Sequence, residues 1–199
     1  MTEKISYEIR QGFEAGQSTK IARLFWQAFK GKLFFALGPE EKALGFLKSV
    51  VNADYAFSAV DADGEVLGVA GFKTKAGAFI GGGMTDLFRT YGVLGAIWRA
   101  AVLILLERPV EDDILLMDGI FVSDGARGQG VGSALLNAIK NEAKARDCSK
   151  VRLDVIDSNP RARALYERQG FIAGETVDIG LLKSLFGFQK VTTMIFEVK

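Results

Sequence analysis

The chain has 199 residues, 49% hydrophobic and 25% charged, which is the balance of an ordinary globular protein and not of a disordered, collagen-like or disulfide-stapled one. Lys and Arg number 25 against 24 Asp and Glu, so the formal charge is +1 and there is no global field to hold nucleic acid or an anionic membrane. Histidine is absent and cysteine occurs once, at Cys148, which excludes Ser-His-Asp and Cys-His triads, histidine-containing zinc sites, redox cysteine pairs and an intrachain disulfide.

In chain order, Ile5, Tyr7 and Ile9 alternate with polar neighbours and predict a half-buried strand. Two helices follow. One covers about residues 18–29, with Ile21, Leu24, Phe25 and Phe29 on one face; the other begins at Gly38, Pro39, Glu40 and Glu41, where proline opens a helix and two acids suit its positive end. Apolar runs at 55–60 and 66–72, joined through Asp61, Ala62, Asp63 and Gly64, predict a hairpin. Beyond Gly81, Gly82 and Gly83 a helix is expected over about 86–107, stopping at Arg108 and Pro109. A buried strand (114–122), a long helix (131–146), a strand (151–156), a short helix (159–169) and two strands (171–177 and 191–198) complete the chain. This interleaving, ending in strands, predicts an α/β or α+β domain with a partly antiparallel sheet. No repeat, low-complexity tract or linker interrupts it, so one domain over 1–199 is expected. The opening residues, 1–10, lack the layout of a signal peptide, and a cytoplasmic location is the plain expectation. The longest apolar run, 93–106, is interrupted by Arg99 and falls short of the roughly 20 residues of a spanning helix, so no membrane span is expected.

The segment from Val122 to Ser133 lies between an apolar strand and an amphipathic helix and carries Gly125, Gly128, Gly130 and Gly132. Glycine lets main chain approach a ligand closely, N–H groups at a helix start attract anions, and Arg127 adds positive charge, so a phosphate-bearing ligand is expected. Without those ligand contacts, the same glycines serve only the geometry of a strand-to-helix turn. No lysine follows Gly130 as a nucleoside-triphosphate loop requires, and the spacing 128, 130, 132 does not fit the GxGxxG of dinucleotide sites.

Arg127-Gly128-Gln129-Gly130-Val131-Gly132 resembles the Arg/Gln-x-x-Gly-x-Gly/Ala signature of the GCN5-related N-acetyltransferase superfamily. Residues Asn159, Ala162, Leu165, Tyr166, Gly170 and Phe171 resemble that family's Asn-x-x-Ala-x-x-Leu-Tyr-x-x-x-Gly-Phe segment at the expected distance downstream. The resemblance covers about 115–171 and implies the family's acyl-CoA transferase fold, with a mixed, largely antiparallel sheet flanked by helices. It implies acetyl-CoA as cosubstrate, no metal, and an amine on a small molecule or peptide as acceptor. Main-chain groups of Ile120, Phe121 and Val122 would pair with the pantetheine arm. The pyrophosphate would rest on Arg127, Gly128, Gln129, Gly130, Val131, Gly132 and Ser133. Tyr166 falls where the family places a general acid near the CoA sulfur; otherwise it is an amphipathic tyrosine on a short helix.

Amine acetylation needs a proton removed from an ammonium, an oxyanion stabilised and a thiolate helped to leave. With no histidine, a side-chain base has to be a carboxylate, lysine, cysteine or tyrosine, or else water carries the proton. Asp154, in the strand 151–156, occupies the place where ribosomal-protein N-terminal acetyltransferases of the superfamily carry an acid proposed as base. Asp118 interrupts the apolar run 114–122 and, by strand alternation, is expected on the face of Ile120 and Val122. For either acid the bland alternative is a salt bridge, with Arg152 the obvious partner. Asn159 suits a helix cap as well as cofactor contact.

The segment 84–109 is the least family-like part, an extra apolar helical stretch between the third and fourth expected strands. Leu87, Phe88, Tyr91, Leu94, Trp98, Ala101, Val102 and Leu105 recur at helical spacing, while Val93, Ile97, Ile104 and Leu106 widen the apolar surface. Such a helix wants two partners: it either buries its second side in a homodimer or roofs the acceptor site. The acids from Glu111 to Asp113 either draw in a cationic amine or form a solvated loop, and Cys148 has no histidine to activate it. A catalytically idle acyl-CoA-binding sensor or interaction module, and a transferase of longer acyl groups, are the alternatives to acetyl transfer.

Overall fold

The structure is a computed structural model that describes residues 5–107, 109–180 and 183–199. Its elements in chain order are β1 (Tyr7–Gln11), α1 (Ser18–Leu37), α2 (Glu40–Val50), β2 (Ala56–Asp61), β3 (Val66–Thr74), β4 (Gly77–Ala78), α3 (Met84–Leu106), β5 (Ile114–Val122), α4 (Val131–Ala145), β6 (Lys150–Ile156), α5 (Pro160–Arg168), β7 (Ile172–Asp178), α6 (Lys183–Phe186) and β8 (Lys190–Glu197). The sheet runs β1-β2-β3-β5-β6-β8-β7, with β4 paired to β3. Neighbours are antiparallel except β5 and β6, so the mixed, largely antiparallel sheet is as expected.

Helices cover both faces of the sheet. On one face Ile21, Phe25 and Trp26 of α1 and Phe46 and Leu47 of α2 pack against Val66, Val69, Phe79 and Phe121. On the other, Leu135, Leu136 and Ile139 of α4 pack against Leu67, Phe72, Leu115, Val151 and Leu153. This double coverage explains why Val66 to Phe72 read as one continuous buried run without alternation.

Two features of the sheet position the site. First, β5 carries an extra residue against β3: Gly71 is opposite Gly119 and Phe72 is opposite Met117, which leaves Asp118 as a β-bulge. Second, β5 and β6 pair only from Ile114–Lys150 to Leu116–Arg152. The strands then diverge. From Met117 onward the edge of β5 that faces β6 has no ladder partner among the described residues.

α1 runs on to Leu37, past the expected end at Phe29, because Ala36 and Leu37 are buried and extend its apolar side. α3 begins at Met84 and is bent at Gly92, whose φ of 70° is left-handed. Arg108, expected to end that helix, lies outside the described residues, as do the side chains of Leu105 and Leu106. By length and composition α3 is long and apolar enough to cross a membrane, so the argument from the shortness of the 93–106 run does not hold for the whole helix. In the fold it lies against α1 and α2. The hydroxyl of Tyr91 donates to the Leu37 carbonyl, and Arg99 donates to the carbonyls of Gly95 (3.1 Å) and Gly38 (2.9 Å). The Arg99 guanidinium also stacks 4.1 Å from the Tyr91 ring and 4.3 Å from the Trp98 ring. Arg99 was read as an interruption of the apolar run; it is turned inward as a clasp.

Gly71 packs so closely on Phe79 that a Cβ there would overlap the ring. Gly71→Ala is expected to cost about 1–3 kcal/mol of stability in urea denaturation, by overpacking the core beside the bulge. An unchanged midpoint would show that Phe79 yields freely and that the bulge is not held by this contact.

Candidate active site

The divergence of β5 and β6 opens a cavity of about 480 Å³. Of the site residues expected from sequence, Asp118, Ile120, Asp154, Asn159 and Tyr166 line it, while Phe121, Val122 and the loop 127–133 lie outside its lining. The cavity reaches both faces of the sheet. Tyr166 and Ala162 of α5 enter it from the α4 side, and Phe25, Phe29 and Leu33 of α1 close it on the other.

Asp118 does not share a face with Ile120 and Val122. Its Oδ2 accepts from the Ile80 N–H at 3.3 Å, and Ile80 packs with the α1 side, whereas Ile120 and Val122 pack with the α4 side. The bulge is the reason: the inserted residue resets the alternation, so Asp118 and Gly119, which abuts Phe29, point the same way. Burial pushes the Asp118 carboxyl above its ordinary pKa, opposed by the Ile80 hydrogen bond and the Lys73 charge.

Asp154 alternates with Leu153 and Val155, which belong to the α4-side core, so it is on the α1 side as well. The Thr193 hydroxyl donates to its Oδ1 at 2.9 Å. The salt bridge expected from Arg152 goes instead to Glu111, at 3.2 Å. Two carboxylates thus face one side of the gap and a tyrosine the other. Tyr166 is buried, and loss of solvent pushes its phenol up to about 12, so it stays protonated across the neutral range.

Asn159 caps α5, its Oδ1 accepting from the Ala162 N–H at 3.1 Å, with Pro160 in the first turn. Phe121 is a core residue whose ring meets Phe25 and Phe29 edge-on, leaving its main chain as the part available to a ligand. At the end of β5, Gly128 and Gly130 are left-handed, with φ of 78° and 86°. Gly130 is the N-cap of α4 and supplies no side-chain cap, so the first-turn N–H groups of that helix remain open to an anion. Arg127 is exposed, pairs with Asp124 at 2.9 Å and donates through Nε to the Val122 carbonyl at 3.3 Å, which partly offsets the charge expected of it. Gln129 has a tethering role not foreseen: its Oε1 accepts from the Ile5 N–H at 2.7 Å and its Nε2 donates to the Gly125 carbonyl at 3.1 Å. Gly132 permits close packing, since a Cβ there would meet Leu165 at 3.1 Å.

The acidic run is held structurally, with Glu111 on Arg152, Asp112 on Lys75, and Asp113 accepting from the Ser149 N–H at 2.9 Å. Burial raises the Cys148 thiol pKa, the opposite of what a nucleophile requires. Among the described residues α3 does not roof the cavity; Glu107, just past its end, is the lining residue that segment contributes. The roof comes from Phe25, Phe29 and Leu33 of α1 and from Phe186 and Gly187 near α6. The i, i+4, i+8 spacing of 25, 29 and 33 was the available signal for the α1 part of it.

Because burial raises the Asp118 carboxyl, the folded state holds its proton more tightly than the unfolded chain does. Stability from this group is therefore present below its unfolded pKa of about 3.8 and is lost as pH rises through the higher folded value. Asp118→Asn is expected to melt higher than the parent at pH 7, with the gap closing as pH falls below about 3.8. A gap independent of pH would contradict the burial of this carboxyl.

The comparisons with known proteins agree with this geometry. A model of the acetyltransferase (GNAT) family matches residues 18–171. Over 56 residues the chain is 38% identical to the thialysine N-epsilon-acetyltransferase of Bos taurus, a stretch that is 28% of this chain and a third (33%) of that relative's length. A GCN5-related N-acetyltransferase from Kribbella flavida superposes with a TM-score of 0.65 at 19% identity, covering 96% of this chain and 97% of that one. An acetyltransferase from Bacillus anthracis str. Ames, solved in complex with acetyl coenzyme A, superposes with a TM-score of 0.50 at 17% identity over 72% of this chain and 62% of that one. These likenesses establish the fold, and the family match extends over most of the chain. The chain belongs to the acetyltransferase (GNAT) family.

Proposed function

We propose that this chain transfers the acetyl group of acetyl-CoA to the nitrogen of a primary amine by direct attack, without an acyl-enzyme. The observation that carries this reading is the cavity between β5 and β6, with a protonated tyrosine on one face of the sheet and two carboxylates on the other. The acetyl-CoA bound in the Bacillus anthracis relative supports the choice of donor.

The residues present fit that donor. The β6-facing edge of β5 beyond Leu116 offers ladder groups to an extended arm, and the uncapped start of α4 offers N–H groups to a diphosphate. When bound, acetyl-CoA supplies the activated thioester. Ile120, Phe121 and Val122 would hold its arm through main chain, and the turn from Arg127 to Ser133 its phosphates.

On the α1 side Asp118 takes the proton of the incoming ammonium. Its raised pKa makes it a better proton acceptor near neutrality than an ordinary aspartate. Asp154, oriented by Thr193, adds negative charge that favours a cationic acceptor. On the α5 side Tyr166 donates its proton to the departing thiolate. The wall of Phe25, Phe29 and Leu33 favours an amine attached to an apolar body.

Calorimetric titration with acetyl-CoA should saturate, with ATP giving no comparable signal; no binding of acetyl-CoA would overturn the reading. Tyr166→Phe should lower kcat for release of free CoA by roughly 10²–10⁴-fold while sparing acetyl-CoA affinity. Unchanged turnover removes Tyr166 from the mechanism, and binding with no turnover on any amine favours the idle acyl-CoA-binding module. Gly130→Val should weaken acetyl-CoA binding, because a side chain at φ 86° strains the turn by about 1–2 kcal/mol and presses on the Tyr7 hydroxyl, which lies 3.3 Å from the position of its Cβ.

A further inference from the structure

The outer face of α3 is inverted for a water-facing helix. Val93, Leu94, Ile97, Trp98, Ala101 and Ile104 share one face and all are exposed, Leu94 at 85% and Ile104 at 68%. No charged or polar residue stands in that stripe. Arg99, the charge in this part of the helix, is turned inward onto Gly38 and Gly95, and Ala96 is fully buried against the domain. Beside the stripe the last turns of α1 present Phe34 at 60% exposure and Phe35, whose ring meets Trp98 at 5.5 Å. At roughly 150–250 Å² for a large side chain, the exposed part of this patch comes to about 800 Å². Monomers seldom show more than about 300–600 Å² of contiguous apolar surface.

We propose that a second copy of this chain covers the patch, in an isologous contact between the outer face of α3 and the end of α1 on each copy. Three observations favour a second copy over a lipid surface. The area matches the roughly 800 Å² that each partner of a standard interface contributes. A helix lying on lipid is flanked by Lys and Arg, whereas the charges at the ends of this stripe in the sequence are of mixed sign, Asp86 and Arg89 before it and Glu107 and Arg108 after it. The patch is also apolar on either copy, so the same surface can meet itself across a two-fold axis.

The test is the mass of the full chain by light scattering, with Leu94→Glu and Ile97→Glu as variants. Both side chains point to solvent, so the fold should survive, which circular dichroism checks. The parent should run with the mass of two chains and each variant with the mass of one. A mutation-free measurement accompanies it: Trp26 is buried, so a red shift of tryptophan emission on dilution reports exposure of Trp98. A parent that is a monomer at high micromolar concentration overturns the proposal. So does a variant that remains dimeric, and so does a monomer that co-floats with anionic vesicles, which would give the patch to lipid. None of these readouts involves acetyl-CoA, so they stand apart from the fate of the catalytic reading.

Discussion

The structure depends on the failure of two parallel strands to stay together. β5 and β6 pair for three residues and then separate, and the separation sets both the site and its ligand edges. Had the ladder continued, the groups of Ile120 to Val122 would be consumed by β6 and the cavity would be core. The bulge at Asp118 contributes to this geometry, since an extra residue bends its strand and increases local twist. Close glycine contacts hold it, Gly71 against Phe79 and Gly119 against Phe29.

The same bulge sorts the chemistry. By adding one residue it brings Asp118 to the face that carries Asp154, opposite the face from which Tyr166 enters. The two carboxyl groups and the phenol are thereby kept on opposite sides of the sheet. Burial shifts Asp118 and Tyr166 in the same direction for the same reason, loss of water around the charged form. For both groups this favours the protonated form.

Much of the architecture was legible in the sequence. The strand 114–122 was visible as an unbroken apolar run, and the turn before α4 as glycines between a strand and an amphipathic helix. The face of Asp118 was not legible, because counting by twos cannot register an inserted residue whose signal lies across the ladder in Gly71 and Phe72. α1 was cut short because Lys30, Gly31 and Lys32 interrupt the periodicity just where the helix passes the mouth of the cavity. Arg99 was taken as a polar break because sequence spacing does not show which carbonyls lie within reach of a guanidinium. Arg152 was matched to Asp118 and Asp154, while its partner, Glu111, comes from the loop before β5.

The tether between Gln129 and Ile5 joins residues 124 apart in the chain. It ties the turn at the start of α4 to the first strand at the far edge of the sheet, and the Tyr7 hydroxyl lies close to Gly130 from the same side. Closing a loop of that length carries an entropic cost that the rest of the folded sheet offsets. The final shape of the turn therefore depends on where the N-terminal segment sits, so a change confined to residues 5–7 is felt at the start of α4.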